Sequence, residues 1–93
     1  NKTKFMASIR QLKKDINNEI GAIIEDIYHW ELSNPKADLT KSEQLIDEAI
    51  VYFDTLMQQV NAVKGENTKK QFSSILSEKE KNIKVLLNKF AKL

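Results

Sequence analysis

Cysteine is absent from this chain. That removes a disulfide framework, a thiolate metal site and a cysteine nucleophile at once, and it leaves the compartment open. Glycine occurs twice and proline once in 93 residues. Turn-rich all-β folds draw heavily on those two residues, so their scarcity favours long helices. Long apolar runs are missing too. No stretch approaches the ~20 residues of a membrane span, and the first residues lack the basic-then-apolar order of a signal peptide. A cytoplasmic location is the default expectation. The chain starts at Asn1, which keeps a secreted or lipid-anchored form open. Gly-rich phosphate loops, nucleophile elbows and paired His–Glu zinc motifs are also lacking.

What is present reads as one globular domain over residues 1–93. Hydrophobic residues make up 41% and charged residues 30%, with a net charge of only +2; a disordered chain would be less apolar and more one-sided in charge. The apolar spacing is the main signal. Phe5, Ile9, Leu12, Ile16, Ile20, Ile23, Ile27 and Trp30 follow at steps of 4, 3, 4, 4, 3, 4 and 3. That is one face of an α-helix. The doubled step of 4 at Ile16–Ile20 is a stutter. Ile24 and Tyr28 widen the stripe. Gly21 costs about 1 kcal/mol against alanine inside a helix, and a close helix–helix approach would explain it.

Ser33-Asn34-Pro35 ends this first helix, because the residue before proline is pushed out of the α region. Thr40-Lys41-Ser42-Glu43 then fits a capping box. Ile46, Ala49, Phe53, Leu56, Val60 and Val63 repeat at 3 and 4 from there, flanked by Leu45, Ile50 and Met57. Gly65 stands where a left-handed cap would end that helix. Thr68-Lys69-Lys70-Gln71 offers another capping box. Phe72, Leu76, Lys79, Ile83, Leu86, Phe90 and Leu93 form a third stripe, in which the stem of Lys79 can lie along the core while its ammonium reaches water. Ser77-Glu78-Lys79-Glu80 also reads as a helix start.

The expected map is helix 3–33, helix 40–64 and helix 68–92. Short connections make sequential helices antiparallel. The expected fold is therefore an all-α, up-down-up three-helix bundle with coiled-coil-like heptad packing. Two alternatives share the pattern: a helical hairpin that dimerises into a larger bundle, and a last helix split near Ser77.

Little in the chain points to chemistry. His29, with Glu25 and Asp26 one turn away, could ligate a metal, but no second histidine or cysteine supports it. A surface histidine near a helix C-terminus is the better reading. The surroundings of His29 also lack the His-x-x-Lys-Gly of phosphotransfer bundles. The carboxylate pairs Glu25-Asp26 and Asp47-Glu48 fall off the apolar stripes. No catalytic residue, metal, cofactor or small-molecule substrate is expected, and the chain is read as a non-enzyme. Trp30-Glu31-Leu32 has leucine where the Trp-x-Gly turn of small secreted helical hairpins has glycine, and a third helix start follows Gly65, so it assigns no family.

Charge is unevenly spread. Residues 1–18 carry five cations against Asp15, a net of +4. Residues 19–63 carry nine acids against Lys36 and Lys41, a net of −7, and residues 64–93 return to +5. Folded up-down-up, Lys4, Arg10, Lys13, Lys14, Lys64, Lys69 and Lys70 gather at one pole. At the other pole the acidic ends of the first two helices face Lys84, Lys89 and Lys92, which favours this arrangement over others. The basic pole has no such balance and is the candidate partner-binding surface, although a solvated basic end is the plainer alternative. Phe5 is its one aromatic and belongs to the core stripe, so nucleic-acid stacking has little support. The segment from Lys81 to Leu93 has the form of an interfacial membrane helix, but the bundle needs its apolar face as a third wall.

Two functional readings follow. The first is a non-catalytic interaction module that binds a protein partner or self-associates, for instance as a homodimer. The second is a small basic helical protein acting at an anionic membrane face. Bacteriocin immunity proteins of the pediocin-like group are similar in size, basic charge and helical content, and the likeness stops there.

Overall fold

The computed structural model describes the backbone of residues 2–93 and the side chains from residue 8 onward. Three helices account for nearly all of it: α1 (Lys2–Ser33), α2 (Thr40–Asn61) and α3 (Thr68–Ala91). Each packs on the other two. Three contacts fix the topology. Glu31, near the end of α1, accepts from Ser42 at the start of α2 (2.6 Å). Lys89, near the end of α3, reaches Glu48 in the first half of α2 (2.7 Å). Lys79 and Glu19 join the middles of α3 and α1 (2.5 Å). These pairings require the up-down-up order. The molecule is a rod, 54 × 17 × 16 Å.

The core runs along the expected stripes. Ile16, Ile20, Ile27, Ala49, Leu56 and Leu86 have no exposed surface, and Leu12, Ile23, Leu45, Ile46, Val60 and Ile75 are also buried. The stripe of α3 is rotated relative to the expected one. Leu76 and Ile83 are only half-buried, while Ile75 and Asn82 take the centre beside Lys79 and Leu86. The sequence reading of Lys79 therefore needs correction. Its ammonium does not reach water freely: the side chain is 8% exposed and ends on Glu19. Tyr28, expected to widen the stripe of α1, and Ile50, expected to flank that of α2, are both about half exposed.

The helix ends also differ from expectation. Neither capping box forms. Leu39 is the residue before α2, with no side-chain cap. The start of α2 is held instead by Asp38, which accepts from the Thr40 amide (2.9 Å) and hydroxyl (2.6 Å). Those bonds hold the Asp38 carboxyl below its ordinary range. Before α3, Asn67 adopts the left-handed conformation at φ 61°, which asparagine tolerates better than most residues. Gln71 turns away from the helix start and donates to the carbonyls of Lys64 (3.1 Å) and Glu66 (2.9 Å). A glutamine at the fourth helical position, one past where a capping box needs it, can brace the preceding loop instead. Gly65 does have positive φ, 78°, but α2 ends at Asn61, and Gly65 belongs to the connection beyond it. The helix that begins at Thr68 passes through Ser77 without a break. The end of α1 is as expected: Asn34 Nδ2 donates to the Trp30 carbonyl (2.8 Å), satisfying an acceptor the helix leaves free.

Gly21 is not at a close contact. A Cβ added there would meet nothing within 4 Å. The expected close helix–helix approach does not occur within the chain.

Candidate functional site, the basic pole

Helix register places the basic residues. The Lys79–Glu19 pair sets α3 level with α1 at an offset of 60 residues, so Lys69 and Lys70 stand beside Ser8–Arg10. The Ser42–Glu31 bond brings Lys64, just past α2, to the same height. Arg10, Lys13, Lys14, Lys64, Lys69 and Lys70 thus come from three elements to one end of the rod. All are exposed except Lys13, which is half-buried. Lys4 lies in the first turns of α1; its side chain is outside those described. By the same register, α1 projects beyond the other two helices by about six residues, roughly 9 Å at 1.5 Å per residue.

The electrostatics of the two ends differ. Asp15 and Glu66 are the acids at the basic pole, against six described cations. Asp15 accepts a hydrogen bond from Gln11 (2.8 Å). Among the described residues two ion pairs form, Lys79–Glu19 and Lys89–Glu48, and neither lies at this pole. At the opposite pole the Lys89–Glu48 pair joins α3 to α2, as the charge pattern anticipates. The bond to Glu48 holds the Lys89 ammonium above its ordinary pKa. The second oxygen of Glu48 is buried and has no hydrogen-bond partner.

An open cleft of about 480 Å³ lies next to the pole, between the end of α2 and the start of α3. Ala62, Val63 and Ile75 supply its apolar wall, and Lys70 and Gln71 its polar edge. His29, Glu25 and Asp26 are all exposed near the other end, and no group of three or more metal-ligating side chains converges among the described residues. No described helix is long and apolar enough to cross a membrane. The apolar face of α3 is taken up by the bundle, with Phe72, Ile83, Phe90 and Leu93 packed on the core.

Sequence reasoning missed one surface. Tyr28 (50% exposed), Leu32 (79%) and Ile50 (44%) leave large apolar groups in solvent near the acidic half. The signal was present in the spacing, where Tyr28 and Leu32 fall a turn apart beside the core stripe rather than on it.

No known family model, curated protein or solved structure matches the chain.

Proposed function

We propose that this protein is a non-catalytic interaction module whose basic pole engages an acidic surface on a protein partner. One observation supports the reading above others: six cations converge at one end of the rod with no intramolecular ion pair among them. Exposed cations with no internal counter-charge add little to the fold, but they steer and orient an oppositely charged partner. The exposed apolar side chains on the acidic half add a hydrophobic component that a protein partner can cover.

The second reading is contact with an anionic membrane face. In its favour, the cations gather around one end of the rod, where an anionic surface could attract them. Against it, the large exposed apolar residues lie toward the other end, so the described pole offers no apolar anchor beside its charge. The test is binding by the whole chain and by a Lys69→Glu/Lys70→Glu variant. Capture of a defined protein partner that is lost in the variant and weakened by salt supports the first reading. Equal capture by both chains overturns it. Binding to phosphatidylglycerol vesicles but not phosphatidylcholine vesicles selects the second.

A further inference from the structure

We infer that the partner of one face of this bundle is a second copy of the same chain, docked antiparallel along the outer seam between α1 and α2. The inference rests on the reading of the protein as an interaction module and names the partner.

The seam is defined by contacts on either side of it. In α1, Glu31 reaches α2 through Ser42, and Glu19 reaches α3 through Lys79. Arg10, Lys14, Gly21, Tyr28 and Leu32 follow one another at steps of 4, 7, 7 and 4 on the Glu31 side of the core stripe. In α2, Glu48 faces α3. Glu43, Asp47, Ile50 and Asp54 step by 4, 3 and 4 on the side away from Glu48, and Lys64 follows just past the helix end. All ten are exposed except Gly21, which is half-buried. Among the described residues, no side chain of either stripe forms an ion pair within the chain.

The combined face is polarised. Arg10, Lys14 and Lys64 occupy one end. Glu25, Glu43 and Asp47, with Tyr28, Leu32 and Ile50 among them, occupy the other. Gly21 and Asp54 sit about midway. A parallel copy would set like charges against each other. An antiparallel copy, with its two-fold axis near Gly21, sets each basic end against the other's acidic and apolar end. It makes both contacts at once, as an isologous interface must. Gly21 then has a role the single chain does not give it. The space beyond its missing Cβ is empty, so a second backbone can come close there. The stripe from Arg10 to Leu32 is about 33 Å long at 1.5 Å per residue on a rod 17 Å wide, a face of roughly 560 Å²; that is below the about 800 Å² per partner of a stable complex and suits a weaker, concentration- and salt-dependent pair.

The arrangement leaves α3 outside the interface, and this makes it testable. Sedimentation equilibrium of the whole chain should give a mass near twice 10.7 kDa that falls toward one chain as salt rises. Arg10→Glu/Lys14→Glu should weaken the dimer at least about tenfold, as should Glu25→Lys/Asp47→Lys. Mixing these two variants should restore it as a heterodimer, and Lys81→Glu/Lys84→Glu, at exposed positions of α3, should leave it intact. Far-UV circular dichroism checks that each variant stays helical. A monomer at every concentration and salt overturns the inference, as does a dimer lost through Lys81 and Lys84. If that monomer still binds an acidic partner through Lys69 and Lys70, the basic pole remains an interaction surface and only the second-copy assignment fails.

Discussion

Lys79 and Glu19 meet at 2.5 Å across sixty residues of sequence, and the lysine is the more deeply placed of the two. The lysine side chain is 8% exposed and the glutamate 45%. A charged group thus stands in the heart of a small core, with its counter-charge at the edge of water. Desolvation of the ammonium opposes the attraction, so the pair constrains how α1 and α3 align more than it adds net stability. Glu19→Gln should lower stability by about 1–3 kcal/mol, because it strips a charged partner from a buried cation. Lys79→Met, which fills the same space without charge, should cost less or even stabilise. Urea unfolding of both variants gives the comparison. A larger loss for Lys79→Met would show that the pair itself holds the fold.

Gly21→Ala should raise the stability of the single chain by about 1 kcal/mol. The added methyl meets nothing, and the helix gains propensity. The same change should weaken self-association, because the methyl projects into the surface assigned to the second copy. Unfolding at low protein concentration reads the first effect, and sedimentation at high concentration reads the second.

Leu56 is fully buried in the second half of α2. Leu56→Ala should cost about 2–5 kcal/mol through lost burial and the cavity left behind. Val51, in the same helix, is 58% exposed, and Val51→Ala should stay within about 0.5 kcal/mol of the parent. Thermal unfolding of the two variants tests whether α2 faces the way described.

Much of this fold was legible in the sequence, and particular residues explain where legibility ended. The 3–4 spacing of Leu12 through Ile27 located the core face of α1, because nothing polar interrupts it. The stripe of α3 was harder. Its apolar positions form two adjacent rows, Ile75 with Leu86 and Leu76 with Ile83, and a polar residue in the buried row, Asn82, hid the true centre. Lys79 was read as a snorkelling stem because its counter-charge is on another helix, sixty residues away. The caps failed for a similar reason. Thr40 and Gln71 are capable cappers, but Asp38 and the Lys64–Glu66 turn offered them other partners. The basic cluster was legible because charge segregation needs only topology to become geometry. The exposed seam of Tyr28 and Leu32 was hidden by its closeness to the core stripe.

Two titrations bracket the structure. The Lys89 pKa is raised in the fold by Glu48. Its contribution is therefore complete below the ordinary lysine value of 10.5 and is lost as pH rises through the folded value. The Asp38 pKa is lowered by Thr40. Its contribution is present above 3.8 and is lost as pH falls through the folded value. Lys89→Met should remove the alkaline part of the stability profile, and Asp38→Ala the acid part near the start of α2. Hydrogen exchange at the first turn of α2 should rise in Asp38→Ala and stay unchanged in Lys89→Met.

The central proposal is that the bundle associates through its surface charge. Solution mass tests this most directly, measured by sedimentation equilibrium across protein concentration and salt. The account predicts a mass near two chains at low salt that falls to 10.7 kDa as salt screens the charged ends. A mass of one chain under every condition, with no acidic protein bound through Lys69 and Lys70, would contradict it.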